Sequence, residues 1–430
     1  MRPSAGGRPH YAWFILAGCC ILQGASLGLI HNCAGVFYSP VCEELGFEIG
    51  KFTLYRTLYA ISSALALPFV AKSFRKRDVR FVIGIASLVY GISTMAMGAF
   101  SELWQWYVTG LIQGAASAFL CMLPAPLLLG NWFYKKTGTA VGISAAFSGL
   151  VGMLGSSGLG FLIPTLGWRA AYQIVGAVSI GFILPTAVLI LRYRPEEKGL
   201  RAYGEMEEKE TQNSAGTKAL GESSESFGTA ACSGEENVRR VQGLSDFARQ
   251  PVFYLCLAAF ACSMISSCLN LFLTSLGLAA GLSMVAAAAL TSFSLLGNMS
   301  SKLVLGKFSD SFGIMKALLL STAVSVAGHL FLLAGVRSGM AAGAFLYGVT
   351  LPLSSVMLPL FCRLFWKGDN YGTAYSYVSM FGTLLASPFN MLFGRFYDWT
   401  GSYQVTVGAS LVTLVLMLAC VGLAQKQEKS

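Results

Sequence analysis

The sequence predicts an all-α membrane protein with twelve transmembrane helices arranged as two six-helix pseudo-repeats. Of its 430 residues, 55% are hydrophobic and only 12% are charged, whereas soluble domains carry about 25% charged residues. The apolar residues form twelve runs, each close to the roughly 20 residues that a helix needs to cross a bilayer. Glycine motifs of the first six runs also recur in the last six. Together these observations predict a polytopic protein built by duplication.

The apolar runs divide the chain into three domains. We expect a six-helix bundle over residues 1–191, a cytoplasmic linker over 192–250 and a second six-helix bundle over 251–430. The linker is rich in Gly, Ser and Glu and lacks apolar periodicity, which predicts a largely disordered segment. The expected spans are about 11–36, 52–71, 79–100, 103–130, 137–163, 170–191, 252–274, 283–305, 314–335, 338–362, 371–394 and 403–424.

The basic residues predict the orientation in the membrane. Alternate loops, starting with the N-terminal one, hold 24 of the 30 Lys and Arg residues, and the other loops hold four. The positive-inside rule therefore places both termini in the cytoplasm, and we expect a multi-pass protein of the plasma membrane. The same rule accounts for the net charge of +10 without a nucleic-acid partner. The first apolar run lacks a clean cleavage site and is interpreted as a retained helix.

Catalytic and metal-binding patterns are missing from the sequence. There is no Walker loop, no GxSxG motif and no cluster of His, Cys and Asp at metal-ligand spacing. The eleven cysteines lie mostly inside the spans, where they serve as small packing residues. We therefore expect no enzyme activity, no cofactor and no metal. We also expect a monomer whose partners are the lipid bilayer and a small molecule.

The duplication is visible as a constant offset. The tripeptide Gly-Thr-Ala that opens the fifth span recurs 234 residues later at the start of the eleventh span, and two glycines at the end of the fifth span recur at the same offset. A single match would mean little in a glycine-rich chain, but several at one offset indicate a true repeat. The matching residues are Gly138–Ala140 with 372–374, Gly160 with Gly394, and Gly167 with Gly401.

Three stretches resemble the major facilitator superfamily. GKFSDSFGIMK, residues 306–316, is similar to the signature that follows the second helix of a repeat. WFYKKTGTAVG, residues 132–142, and GRFYDWTGSY, residues 394–403, are similar to the oxalate/formate antiporter and monocarboxylate porter branches. The resemblance implies rocker-switch alternating access, with gating residues Gly306, Asp310, Gly313 and Lys316. The equivalent first-half stretch, residues 70–80, lacks the glycine and aspartate of the signature.

Lys302 is the first candidate for substrate binding. A lysine inside a span costs about 2.5–3.5 kcal/mol on insertion scales and is seldom kept without a partner. No Asp or Glu lies in any predicted span, so the partner can be an anionic ligand. The resemblance implies the same, since these branches use a basic residue of helix 8 for the substrate carboxylate. The second basic residue of the antiporters, in helix 11, has no counterpart. Snorkelling of Lys302 to the cytoplasmic surface is the alternative.

Four more polar residues lie inside the spans. Arg56 can contact substrate, snorkel outward, or form an outer-gate pair with Glu43 or Glu44. Asn32 and Asn270 occupy comparable depths in the two repeats and can line a shared cavity. His31 can line the cavity and can also carry a proton, because histidine titrates near neutrality.

The predicted function is secondary transport of small organic anions such as mono- or dicarboxylates, as an antiporter or symporter. A proton or an exchanged anion would be the coupled partner. Two alternatives remain open. The same fold can carry a neutral or cationic compound, or it can serve as a sensor that binds a ligand without moving it.

Overall fold

The computed structural model describes residues 10–134, 137–204, 244–366 and 369–429. These ranges are almost wholly helical, and the apolar runs form the helices because a bilayer has no water to satisfy the backbone in any open alternative. We number the long helical segments α1 (Tyr11–Leu45), α2 (Ile49–Lys76), α3 (Val79–Met97), α4 (Leu103–Trp132), α5 (137–166), α6 (168–189), α7 (Pro251–Ala279), α8 (Met284–Phe312), α9 (Ile314–Ala334), α10 (Arg337–Phe365), α11 (369–400) and α12 (Gln404–Lys429).

Nine helices in the described ranges are long and apolar enough to cross a membrane. One of them, the 53-residue stretch Thr137–Leu189, contains both α5 and α6, because Gly167 has a φ of 81° and interrupts the helix there. The more polar α2 and α11 bring the number of segments to twelve. The prediction of an all-α membrane protein is confirmed, and the twelve segments fit the predicted spans.

The repeated glycines occupy equivalent places in the two halves. Gly167 ends α5 with a φ of 81°, and Gly401 ends α11 with a φ of 67°, both in the left-handed region that favours glycine. Gly160 packs on α8, where a Cβ would come within 2.8 Å of Ala288. Gly394 packs on α2, where a Cβ would come within 2.9 Å of the Gly50 backbone. In each half, therefore, the repeated pair brings one helix against the other half and then ends it.

Segments of π or 3₁₀ turn fall at the same helix of every three, and α11 is interrupted separately by a turn between Ala386 and Phe389. Segments of π or 3₁₀ turn interrupt α1 at Gly24–Asn32 and Ala34–Phe37, α4 at Ala118–Met122, α7 at Leu269–Phe272 and α10 at Gly348–Thr350 and Leu353–Met357. The breaks in α4 and α10 adjoin Pro124 and Pro352, as expected for residues that cannot donate a backbone hydrogen bond. Such bulges are frequent at functional sites.

The two halves meet at the membrane end opposite the chain termini, which we call the closed end. The pairs in contact there are α1 with α7, α2 with α11 and α5 with α8. Backbones approach closely at Gly35, where a Cβ would lie 2.0 Å from the Leu271 carbonyl oxygen. Hydrogen bonds between the halves join Ser39 to Ser275, Thr57 to the Ser387 carbonyl, Ser156 to the Ala288 carbonyl and Ser157 to Ser292.

The first residues of the predicted linker are ordered against the first half. Trp132 donates its indole N–H to the Arg192 carbonyl at 2.9 Å, and Tyr203 forms a short parallel bridge with Phe133. Residues 192–204 therefore have defined contacts, because their aromatic and backbone groups find partners at the end of α4. A largely disordered linker over 192–250 stays a prediction. Residues 205–243 lie outside the described part of the chain, and the domain boundaries remain a prediction.

Candidate functional site

Arg56 lies in the interior of the first half, on α2. Its side chain is only 3% exposed, and its guanidinium lies 3.1 Å from His31 Nδ1 of α1. The same guanidinium carbon lies 4.4 Å from the centre of the Tyr59 ring, a cation–π distance. Outward snorkelling, one of the alternatives for Arg56, is therefore wrong, because the side chain points into the bundle.

His31 links the arginine to two tyrosines. Its Nδ1 lies 3.1 Å from the Tyr59 hydroxyl, which in turn lies 3.4 Å from the Tyr90 hydroxyl of α3. Because a guanidinium only donates hydrogen bonds, Nδ1 must accept from Arg56. An imidazole that accepts through Nδ1 carries its proton on Nε2 and is neutral. The cluster of Arg56, His31, Tyr59 and Tyr90, which we call the arginine cluster, thus carries one positive charge.

A narrow cavity adjoins the arginine cluster. Tyr55, Thr94, Gln113 and Tyr172 contribute its polar lining beside Arg56. The cavity has room for about one water molecule, because the centre of a water can occupy about 10 Å³ of it. Gln113 donates to the Thr94 hydroxyl at 2.9 Å, whereas the buried Tyr172 hydroxyl has no hydrogen-bond partner within the described residues. A buried polar atom without a partner is costly and is available to a ligand.

The arginine cluster has no acidic partner within the described ranges. The ion pairs found there involve Glu44, Glu48 and Asp78, all at or near helix ends, and none includes Arg56. The predicted pair of Arg56 with Glu43 or Glu44 is not formed, because Glu44 instead accepts from Trp168 at 2.6 Å and pairs with Arg169. Among the described residues, the positive charge of Arg56 is therefore balanced only by hydrogen bonding and aromatic faces.

Lys302 lies on the face of α8 that packs against α5. This face carries Ala288, Ser292 and Met299, which contact α5 at Ser156, Met153 and Gly149 in turn. Lys302 follows Met299 by three residues and so continues the same face toward the terminal end. Its side chain is half-buried and forms no ion pair or hydrogen bond with the described residues. The neighbouring Leu303 and Val304 are exposed.

The two predicted asparagines have different surroundings. Asn270, in the 3₁₀ turn of α7, is buried and accepts a hydrogen bond from Ser294 at 2.8 Å. Asn32, at the end of the π segment of α1, is partly exposed and lies near Gly152 of α5. No hydrogen bond joins either amide to the arginine cluster in the described part of the chain. The structure thus brings His31 and Arg56 together, whereas Asn32, Asn270 and Lys302 form no hydrogen bond with the arginine cluster among the described residues.

The predicted gate lies at the terminal end of α8. Gly313 ends α8 with a φ of 91°, and Lys316 is exposed in the first turn of α9. The backbone of Gly306 and Asp310 is helical, but their side-chain surroundings lie outside the described part. A latch through Asp310 therefore stays a prediction.

A latch that the sequence did not reveal holds the closed end. Asp398 of α11 accepts hydrogen bonds from the backbone N–H groups of Ile49 and Gly50, at 3.0 and 2.7 Å, at the start of α2. Glu48 pairs with Lys51 at 2.8 Å and with Arg395 at 2.6 Å. The hydrogen bond from Lys51, together with the charge of Arg395, lowers the pKa of the Glu48 carboxyl. We call this set the closed-end latch.

Two six-helix halves joined at one membrane end, with cations in the interior, form the architecture of a secondary membrane transporter. Residues 15–389 match the Major Facilitator Superfamily. The chain belongs to this family, whose members are transporters and not enzymes.

Relatives and solved structures agree with this class. The chain is 26% identical over 200 residues to the probable transporter MCH2 of Saccharomyces cerevisiae, covering 45% of this chain and 41% of that protein. It is 25% identical over 195 residues to human monocarboxylate transporter 11, covering 44% and 41%. Each match thus spans less than half of the relative. A bacterial homolog of the human lysosomal transporter Spinster, in an inward-facing and unoccupied conformation, has the same fold, with a TM-score of 0.67, 15% identity and 97% of both chains covered.

Proposed function

We propose that the protein is a secondary transporter of small organic anions, with mono- or dicarboxylates as the substrate class. The observation that carries this proposal is a fully buried Arg56 without an acidic partner among the described residues. A desolvated cation is stabilised most by an anion, and a guanidinium binds a carboxylate through two parallel hydrogen bonds. The similarity to proteins named monocarboxylate transporters supports the same substrate class.

The two cations would act in sequence. Lys302 lies about one turn beyond the contact of Met299 with Gly149, nearer the terminal end, so an anion entering from that end would meet it first. Arg56 lies nearer the closed end, in the first turns of α2, where it contacts His31 next to Asn32. In this scheme Asn32 and the tyrosines of the arginine cluster orient the ligand, while Asn270 keeps α7 and α8 together through Ser294.

Alternating access would then proceed by rocking one half on the other. The closed-end latch opens as Asp310 and its basic neighbours close the terminal end. In the described residues no carboxylate lies near Arg56 or Lys302, so exchange of anions, or entry of a proton on the substrate itself, is preferred to a dedicated carboxylate relay. We propose a monomer in the plasma membrane, and the loop charges favour cytoplasmic termini.

Counterflow in proteoliposomes tests the proposal. Vesicles loaded with one unlabelled carboxylate take up the same labelled compound, and a panel of monocarboxylates, dicarboxylates, neutral sugars and amines is screened in turn. We expect saturable uptake of an anion, a loss of at least about 100-fold in kcat/KM for Arg56→Gln, and partial activity for Arg56→Lys. Lys302→Arg is expected to retain uptake and Lys302→Gln to lose it.

The control is Arg201→Gln, which removes an exposed cation outside both the bundle interior and the closed-end latch and should leave the substrate KM unchanged. Saturable uptake of neutral or cationic compounds that is indifferent to Arg56→Gln and Lys302→Gln would contradict the anion proposal and favour the first alternative. Binding of a carboxylate without flux in any vesicle would favour a sensor.

A further inference from the structure

A groove lies on the outer face of the first half, away from the arginine cluster. It lies between α3 and α4 and is closed at its terminal end by the last turns of α2. Its volume is about 750 Å³, within the range of pockets that hold a small ligand. We call it the lipid-facing groove, because α3 and α4 turn exposed apolar side chains outward along it.

The walls of the groove follow helical spacing. On α3 the lining side chains recur at every fourth residue, and on α4 they recur at three- and four-residue steps. Alanines form its floor, while phenylalanines stand at its edges. The α3 wall from Phe81 to Val89 is about 12 Å long at 1.5 Å per residue. The groove therefore has the shape and apolarity to hold part of a hydrocarbon chain. The residues concerned are Phe81, Ile85, Val89, Ala115, Ala116 and Phe119.

Three basic side chains line the terminal end of the groove. Lys72 and Lys76 belong to the last turns of α2, and Arg77 follows directly. All three are exposed, and none forms an ion pair with a residue whose side chain is described. The nearby Asp78 does not neutralise them, because it pairs with Arg80 at 2.8 Å and caps α3.

The geometry points to a binding site for an anionic phospholipid, with its phosphate on Lys72, Lys76 and Arg77 and an acyl chain along α3 and α4. The charge of the site favours the headgroup, and the apolar walls favour the chain, so neither half of the lipid suffices alone. Basic pockets between transmembrane helices are known to select anionic headgroups. The assignment also gives a role to the stretch 70–80, which has basic residues but does not match the glycine–aspartate spacing of the family's gate signature.

The stretch that links α2 to α3 would thereby be fixed by lipid instead of by an intramolecular latch. This inference does not depend on the substrate, since the groove lies outside the bundle interior and shares no residue with the arginine cluster. Failure of the anion-transport proposal would leave it unaffected.

Native mass spectrometry of the full-length protein in detergent tests the site. Dioleoyl phosphatidylglycerol and dioleoyl phosphatidylcholine are titrated separately, and the dissociation constant of the first bound lipid is measured. We expect phosphatidylglycerol to bind about a hundredfold more tightly, since three basic residues face its headgroup. Each basic residue near a headgroup contributes about fivefold, so the triple variant Lys72→Gln, Lys76→Gln, Arg77→Gln should lose about a hundredfold for phosphatidylglycerol and little for phosphatidylcholine.

A matched control removes three other exposed cations from the same end of the molecule: Arg201→Gln, Arg249→Gln and Lys426→Gln. It should bind phosphatidylglycerol as the native protein does. A second variant, Ala115→Phe, fills the floor of the groove while keeping every charge, and it should weaken phosphatidylglycerol binding by about tenfold or more.

Equal losses in the two triple variants would overturn the proposal, because attraction would then depend on net charge and not on the groove. Unchanged binding in Ala115→Phe would overturn the role of the acyl chain. Glycerol 3-phosphate, which has the headgroup phosphate but no chain, is titrated as a competitor. Displacement of the lipid by it at equal concentration would show a site for free phosphate and would also overturn the proposal.

Discussion

Replacing Asp398 by asparagine measures how strongly the closed-end latch holds the halves together. The native carboxylate accepts the N–H groups of Ile49 and Gly50. These two donors have no acceptor within their own helix, because the first helical bond of α2 runs from Phe52 to Glu48. An asparagine keeps one acceptor oxygen, so one hydrogen bond and the negative charge at the start of α2 are lost.

The size of the effect follows from these two losses. A hydrogen bond to a charged acceptor contributes about 1.5–3 kcal/mol, and a charge at a helix N-terminus adds about 0.3–1 kcal/mol. Asp398 is only partly buried, so we take about 2 kcal/mol in total, which corresponds to about a 30-fold shift toward the open latch. Hydrogen exchange followed by mass spectrometry reads this shift directly, since the amides of Ile49 and Gly50 should exchange about 30-fold faster.

Asp78→Asn is the matched control. Asp78 caps α3 within one half by accepting the Arg80 backbone N–H at 2.9 Å. Its replacement should speed exchange at the start of α3 and leave Ile49 and Gly50 as they are. Equal exchange at Ile49 and Gly50 in the native protein and in Asp398→Asn would refute the cap that we assign to Asp398.

Three further predictions concern stability. Gly394→Val places a side chain against the Gly50 backbone and should lower the free energy of unfolding, measured by thermal unfolding, by about 1–3 kcal/mol. Gly408→Ala is the control and should be tolerated in the same assay, because Gly408 has open space around it. Because the pKa of Glu48 is lowered, the ionised carboxylate stabilises the fold fully above pH 4.5, the ordinary pKa, and this stabilisation is lost as the pH falls through the lowered pKa. The Tm should therefore drop more between about pH 6 and pH 3 in the native protein than in Glu48→Gln. His329→Ala removes a buried hydrogen bond between α9 and α12 and should cost about 1–3 kcal/mol without changing the substrate KM in counterflow.

Much of the fold could be predicted because a bilayer leaves few choices to an apolar chain. The lengths of the apolar runs determine the helices, and the offset of 234 residues between glycine motifs reveals the repeat. The partial order of residues 192–204 could not be predicted, since their composition is polar and their contacts with Trp132 and Phe133 come from tertiary structure.

Only part of the candidate site could be predicted from the sequence. Arg56 and His31 stand out because charged and titratable groups are rare in spans. Tyr59 follows Arg56 by three residues, a helical spacing that could have indicated their contact. Tyr90 and Tyr172 could not be distinguished from ordinary core aromatics. The direction of Arg56 was also hidden, because its position near the closed end fits an outward partner as well as an inward one.

The cap on α2 has a consequence for biosynthesis. Asp398 comes 349 positions after Ile49, whose N–H it accepts. Because the chain is synthesised from its N-terminus, α2 leaves the ribosome long before Asp398, which caps it, has been made. The second helix must therefore enter the bilayer before the carboxylate that caps its first amide groups exists, and these groups gain that acceptor only when the eleventh helix has been inserted. Co-expression of the two halves as separate chains should accordingly protect the start of α2 from hydrogen exchange, which the first half alone cannot do.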